Sequence, residues 1–178
     1  MEDQLSPAAS APLIRPAQPG DVPAVHQFII ELAETEEYPG EVTARPADVA
    51  RALFGPHPVA EAAIAEVAGE PAGFALFYLT YSTVTGQPAL HLEDLYVRPG
   101  LRGGGLGRLL LAHLAGLAVQ RGCGRLDWQV LRTNEPALRF YRRLHARELA
   151  EITTFRLEGE VLRDLAAATS GSREASRG

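Results

Sequence analysis

The sequence predicts an α/β fold of the α+β kind: a mixed, mostly antiparallel central sheet flanked by helices. Three observations carry that expectation. Residues 62–67, 73–81 and 90–97 are strand-like runs joined by the turn-rich phrases AGEP and TVTGQP, as in an antiparallel meander. Val25, Phe28, Ile29 and Leu32 before them, and Leu106, Leu109, Leu110, Leu114 and Leu117 after them, repeat at the three-and-four spacing of amphipathic helices. Between the third strand and the later helix lies LEDLYVRPGLRGGGLG, a strand emptying into a glycine-dense loop at a helix start.

In chain order, residues 13–17 read as a short opening strand, and Asp21 begins the first helix. A second short helix is expected near residues 47–53, followed by the meander. After the glycine loop and its helix, residues 125–130 read as a strand. Residues 135–144 read as a helix opened by Pro136, residues 151–157 as a last strand, and EVLRDLAAA as a helical turn or two. The order is therefore β-α-α-β-β-β-α-β-α-β. With 178 residues, 46% of them hydrophobic, the chain suits one domain over residues 12–169, with small, polar, pattern-free tails at 1–11 and 170–178 expected to be disordered.

Composition narrows the function classes. The net charge is −5, and all 17 basic residues are Arg, a bias that suggests a GC-rich, bacterial coding genome. Without a basic stripe or aromatic platform, nucleic acid is a poor partner. No apolar run is long enough for a membrane span, and the start lacks the layout of a signal peptide, so a cytoplasmic home is expected. Cys123 is the single cysteine; it cannot form an internal disulfide and reads as a small hydrophobe.

The glycine loop is read as a phosphate cradle. The first amides of a helix lack intrahelical partners and sit at the positive end of its dipole. Gly103, Gly104, Gly105 and Gly107 carry no side chains to keep a pyrophosphate from them, and Arg102 and Arg108 add positive charge. No Lys-Ser/Thr pair follows the glycines, and Arg108 stands where a dinucleotide-binding loop begun at Gly103 needs Gly.

Arg102-x-x-Gly105-x-Gly107 resembles the coenzyme A loop of the GCN5-related N-acetyltransferase superfamily, and the element order is that superfamily's own. Asn134-Glu135-Pro136 followed by Phe140-Tyr141-Arg142-Arg143 resembles its signature on the fourth helix. Further phrases are similar to the spermidine/spermine N-acetyltransferase subgroup, above all its thialysine-acetylating branch: Ile14-Arg15-Pro16-Ala17, Phe54-Gly55 with His57-Pro58, Gly73-Phe74-Ala75, Thr80-Tyr81 and Leu92-Glu93-Asp94.

What the resemblance implies is an acetyl-CoA-dependent N-acetyltransferase, without a metal, acting on a small amine and assembled as a homodimer whose clefts are lined partly by the second chain. Leu95, Tyr96 and Val97 would hydrogen-bond the pantetheine, and residues Arg102, Gly103, Gly104, Gly105, Leu106, Gly107 and Arg108 the pyrophosphate. Asn134, Pro136 and Ala137 would touch the cofactor arm. Tyr141 would protonate the departing thiolate, and Glu93, through water, would deprotonate the amine. On its residues alone, Tyr141 also reads as a core tyrosine and Asn134 as a helix cap. Strict alternation puts Glu93 and Leu95 on one strand face and Asp94 on the other, unless a bulge intervenes. The resemblance implies such a bulge, freeing an amide near Leu95 for the thioester oxygen.

Glu36, beside Glu34 and Glu37, stands where the subgroup keeps an acid for the distal ammonium; the same residues also read as a solvated helix face. Polyamine-specific members carry an acid and a tryptophan where this chain has Ser82-Thr83-Val84, and a tryptophan where it has Phe155. Ser82 and Thr83 resemble the thialysine branch, where hydroxyls meet a substrate carboxylate through water. The expected acceptor is therefore thialysine, a lysine-like amino acid or a short diamine. A polyamine or peptide acceptor and a non-catalytic acetyl-CoA sensor are the alternatives. His145 replaces the usual Gly at a helix end, a position where His tolerates positive φ.

Overall fold

The structure is a computed structural model in which residues 11–37 and 40–174 are described. Of the expected tails, residues 1–10 and 175–178 lie outside that span, as does Pro39, whereas residues 170–174 of the expected C-terminal tail are helical. The chain divides into two compact units, with the boundary between Glu135 and Pro136.

The larger unit holds β1 (Leu13–Pro16), α1 (Val22–Thr35), α2 (Pro46–Phe54), β2 (Glu61–Val67), β3 (Glu70–Ser82), β4 (Gln87–Val97), α3 (Leu106–Gln120) and β5 (Leu126–Trp128). The sheet order follows the sequence, β1-β2-β3-β4-β5. All neighbours are antiparallel except β4 and β5, which α3 connects as a parallel pair. The meander is borne out, its strands longer than the apolar runs alone indicated.

Consecutive buried residues in β2 (Ala62 to Ala65) and β3 (Ala72 to Ala75) require cover on both faces of the sheet. One face packs Val22, Val25, Phe28, Val49 and Leu53 of α1 and α2 onto Ile64, Phe74 and Tyr96. The Phe28 ring lies 5.6 Å from Phe74 and 5.7 Å from Tyr96, fixing α1 over β4. On α3, Leu106, Leu110 and Leu114 of the expected face are buried together with Leu111 and Ala118, whereas Leu109 is exposed and Leu117 half-buried. Gly73 permits the close approach of β3 to β4: a methyl group there would press into the backbone of Tyr96 and Val97.

Arg15 ties the fold's opening together. Its guanidinium donates both Nη atoms to Asp21, at 2.7 and 2.9 Å, and Nε to Glu66 at 2.7 Å. Asp21 is buried before α1, and these donors hold its carboxyl below the usual range despite burial.

The smaller unit holds α4 (Glu135–Arg143), which begins at the last residue of the larger unit, and α5 (Gly159–Glu174). The helical end of α4 is a Schellman turn: His145 donates to Arg142 O at 3.0 Å and Ala146 to Tyr141 O at 3.2 Å, with His145 at φ 59°. The left-handed end expected at His145 is present. The expected last strand is not: residues 151–157 form no strand. Their β-branched Ile152, Thr153 and Thr154 and aromatic Phe155 favour an extended chain, but a strand also needs a partner's ladder, which composition does not specify. The closing helix is correspondingly longer than a turn or two, carried by good helix formers such as Leu162, Leu165 and Ala166 to Ala168. Among the described residues, no helix is long and apolar enough to cross a membrane.

Candidate active site

The chemistry-bearing residues of the larger unit converge where β4 breaks register. Leu76 of β3 faces Asp94 while Phe77 faces Leu92, so Glu93 is an extra residue with no partner on β3. This is a β-bulge, and it cancels the alternation that would send the two carboxylates to opposite faces. His91, opposite Tyr78, and Asp94, opposite Leu76, now share one face of the sheet. Leu76 packs against the α1–α2 core, which identifies that face.

Glu93 is exposed and oriented. The Tyr78 hydroxyl donates to its Oε2 at 3.2 Å, and His91 Nε2 lies 3.8 Å from the same oxygen. The Tyr78 and His91 ring centroids lie 5.0 Å apart, tilted at 33°. Burial, reinforced by the Glu93 charge, pushes the Tyr78 phenol up, which keeps it a donor at neutral pH. Asp94 is half-buried, and burial first, then the charges of Glu93 and Glu36, raise its carboxyl from 3.8 to about 6. Three carboxylates therefore share one electrostatic neighbourhood, a setting that favours a cation.

Glu36 reaches that neighbourhood from the end of α1. The last turn is closed by Glu36 N–H donating to Leu32 O at 2.9 Å, after which Glu37 takes φ 50°. Asn134 Nδ2 donates to Glu36 Oε1 at 3.0 Å across 98 residues of sequence.

Past the bulge, β4 has an unpaired side. Its ladder with β5 ends at Leu92–Trp128, so among the described residues no strand covers that edge at Leu95, Tyr96 and Val97. An extended arm carrying amide groups can add there as a strand would. The 3₁₀ turn Pro99–Leu101 then leads to the glycine loop. Gly103 and Gly105 have φ 84° and 87°, and a Cβ at either would meet no protein atom within 4 Å. Internal packing does not demand glycine at these two positions. Left-handed backbone demands it, and the absence of side chains leaves the N-terminus of α3 open to a phosphate. Arg102 is fixed by Nε donating to Val97 O at 2.8 Å, with its guanidinium 5.5 Å from the Tyr96 ring centroid. A cavity of about 710 Å³ opens beside this segment, lined by Glu31, Glu34 and Thr35 of α1 and by Tyr96, Arg98 and Leu101. The residues present thus fit a thioester cofactor with a pyrophosphate and an amide-bearing arm.

Ser82 and Thr83 do not join the carboxylates within one chain. They stand at the β3–β4 turn, some six residues along β3 from the bulge, roughly 20 Å at strand rise. Ser82 is buried, its Oγ accepting from Thr85 N–H at 3.3 Å and from Arg125 at 3.2 Å. Tyr141, in the smaller unit, is half-buried on α4, its ring 5.2 Å from Phe140. Pro136 and Ala137 open the same helix. Sequence reasoning passed over Tyr78 and His91 and set Asp94 aside. The adjacent polar pair Glu93-Asp94 inside an apolar strand was the available signal, since regular alternation does not produce one.

Comparison with known proteins supplies the class. Residues 27–146 match the Acetyltransferase (GNAT) family. The thialysine N-epsilon-acetyltransferase of Sus scrofa is 37% identical over 165 residues, covering 86% of this chain and 96% of that one. An integron cassette protein from the mobile metagenome of V. cholerae superposes with TM-score 0.74 at 30% identity, covering 88% of this chain and 98% of that one. An aminoglycoside N-acetyltransferase solved in complex with CoA superposes with TM-score 0.71 at 21% identity, covering 87% of this chain and all of its own, a likeness of fold. The fold and the site define an acetyl-transferring enzyme. The chain belongs to the acetyltransferase (GNAT) family.

Proposed function

We propose that the protein transfers the acetyl group of acetyl-CoA to a primary amine of a small cationic substrate: thialysine, a lysine-like amino acid or a short diamine. The observation that carries this reading is the bulge at Glu93, with Asp94 beside it in electrostatic reach of both Glu93 and Glu36. Similarity to a thialysine acetyltransferase over most of both chains supports the choice of acceptor.

In this reading the pyrophosphate rests on the amides at the start of α3 with Arg102 and Arg108, and the arm runs along the open edge of β4 at Leu95, Tyr96 and Val97, with Asn134, Pro136 and Ala137 beside it. The substrate's reacting nitrogen loses its proton to a water ordered by Glu93, and its distal cation is held by Glu36 and Asp94. The neutral amine attacks the thioester carbon directly, so the C–N bond forms as the C–S bond breaks. A backbone N–H near Leu95 donates to the carbonyl oxygen as charge develops on it. Tyr141 gives its proton to the departing sulfur, the second proton of the acylated nitrogen leaves through the water ordered by Glu93, and the tyrosine is reprotonated from solvent.

A homodimer belongs to the same proposal. Thr83, exposed and too far from the bulge in its own chain, would meet the substrate carboxylate of a second copy's cleft, while Ser82, buried and held by Thr85 and Arg125, would shape the turn that presents it. The surface around them is apolar, with Leu79, Tyr81 and Val84 exposed.

The test is coenzyme A thiol release from acetyl-CoA with thialysine, lysine, putrescine, spermidine and an N-terminal peptide. Preference for thialysine, lysine or putrescine supports the reading, and preference for spermidine or the peptide replaces its acceptor. Tight acetyl-CoA binding with no release would make the protein a sensor.

A further inference from the structure

We infer that Asn134 is a positioning residue for the substrate-binding carboxylate Glu36, beyond any contact it makes with the cofactor arm; this rests on the reading of Glu36 as a site for the substrate's distal cation. The geometry is specific. Asn134 Nδ2 donates to Glu36 Oε1 at 3.0 Å, and because a carboxylate only accepts, the amide nitrogen is the atom that must face it. Asn134 is itself fixed by a tight turn: its N–H donates to Leu131 O at 2.9 Å, and the next N–H, of Glu135, donates to Thr133 O at 2.9 Å.

Glu36 needs such a partner for two reasons. It stands at the end of α1, followed at once by Glu37 in the left-handed region, where the helix no longer restricts its side chain. It also lies within electrostatic reach of Asp94, a second carboxyl that would not attract it. The partner is neutral. An arginine would fix Glu36 but cancel its charge, whereas a carboxamide directs the carboxylate and leaves its charge for an incoming ammonium.

The experiment is steady-state kinetics with purified full-length enzyme, varying thialysine and acetyl-CoA separately. Asn134→Ala is expected to raise the thialysine KM roughly tenfold, the worth of one hydrogen bond to a charged group, and to raise it more than any change in the acetyl-CoA KM that loss of a contact to the cofactor arm brings. In a Glu36→Gln background, Asn134→Ala should add less than about twofold, because the partner it positions is gone. The near-isosteric Asn134→Asp, which places a second carboxylate against Glu36, should raise the thialysine KM at least as much and serves if the alanine variant fails to fold. A rise confined to the acetyl-CoA KM, or additive effects in the double variant, would overturn the positioning role. An unchanged thialysine KM in Glu36→Gln alone would overturn the reading of Glu36 beneath it.

Discussion

Asp94 carries a stability cost that pH reveals. Its folded carboxyl titrates near 6 against an ordinary 3.8, so ionisation is harder in the folded protein than in the unfolded chain. A raised carboxyl destabilises once it ionises: the cost is absent below about pH 4, grows between 4 and 6, and is fully present above, at up to about 3 kcal/mol. Asp94→Asn should therefore stabilise the protein at pH 8 and leave it near wild type at pH 4 in denaturant unfolding. The same substitution should raise the KM for a cationic amine. Tyr78→Phe removes the donor that orients Glu93 and should lower kcat/KM about three- to tenfold, with stability changed by less than about 1 kcal/mol. Glu93 was legible from the phrase Leu92-Glu93-Asp94. Asp94 was not, because its role depends on the bulge, and a bulge is set by the register with β3, which one strand's own sequence does not state.

Elements with a strong local pattern were legible in the same way: α1 and α3 from their apolar spacing, the meander from its turns. The glycine loop was legible because helix starts and left-handed positions are properties of a few adjacent residues. Gly105→Ala, at φ 87°, should cost about 1 kcal/mol in thermal unfolding and raise the acetyl-CoA KM more than the amine KM. Gly73→Ala should destabilise by about 2 kcal/mol or more, since β3 must move off the backbone of β4, and it should disturb the edge at Tyr96 and Val97. The segment at 151–157 differs from expectation because pairing is a relation between segments; its β-branched and aromatic residues specified one side of that relation only. The end of α4 was readable at His145, since its φ of 59° belongs to that residue alone.

At the scale of the whole molecule, two separate binding devices meet on β4: an open backbone edge leading to an amide cradle, and a carboxylate cluster created by one extra residue. In the proposed reading the cluster would select for charge and the edge would seat the thioester donor. If a second copy completes the cleft, light scattering on a sizing column should give a dimer mass, and Val84→Glu with Tyr81→Glu should shift it towards monomer. Asp94 ionisation should also make amine capture pH-dependent, the KM for a cationic amine falling as pH rises through about 6.

The most direct measurement of the central claim compares kcat/KM for thialysine with that for 2-(ethylthio)ethylamine, which keeps the thioether chain and the reacting amine but lacks the charged head. If Glu36 and Asp94 hold the distal cation, thialysine should be favoured at least roughly tenfold, the equivalent of about 1.4 kcal/mol. Equal values for the two amines would contradict it.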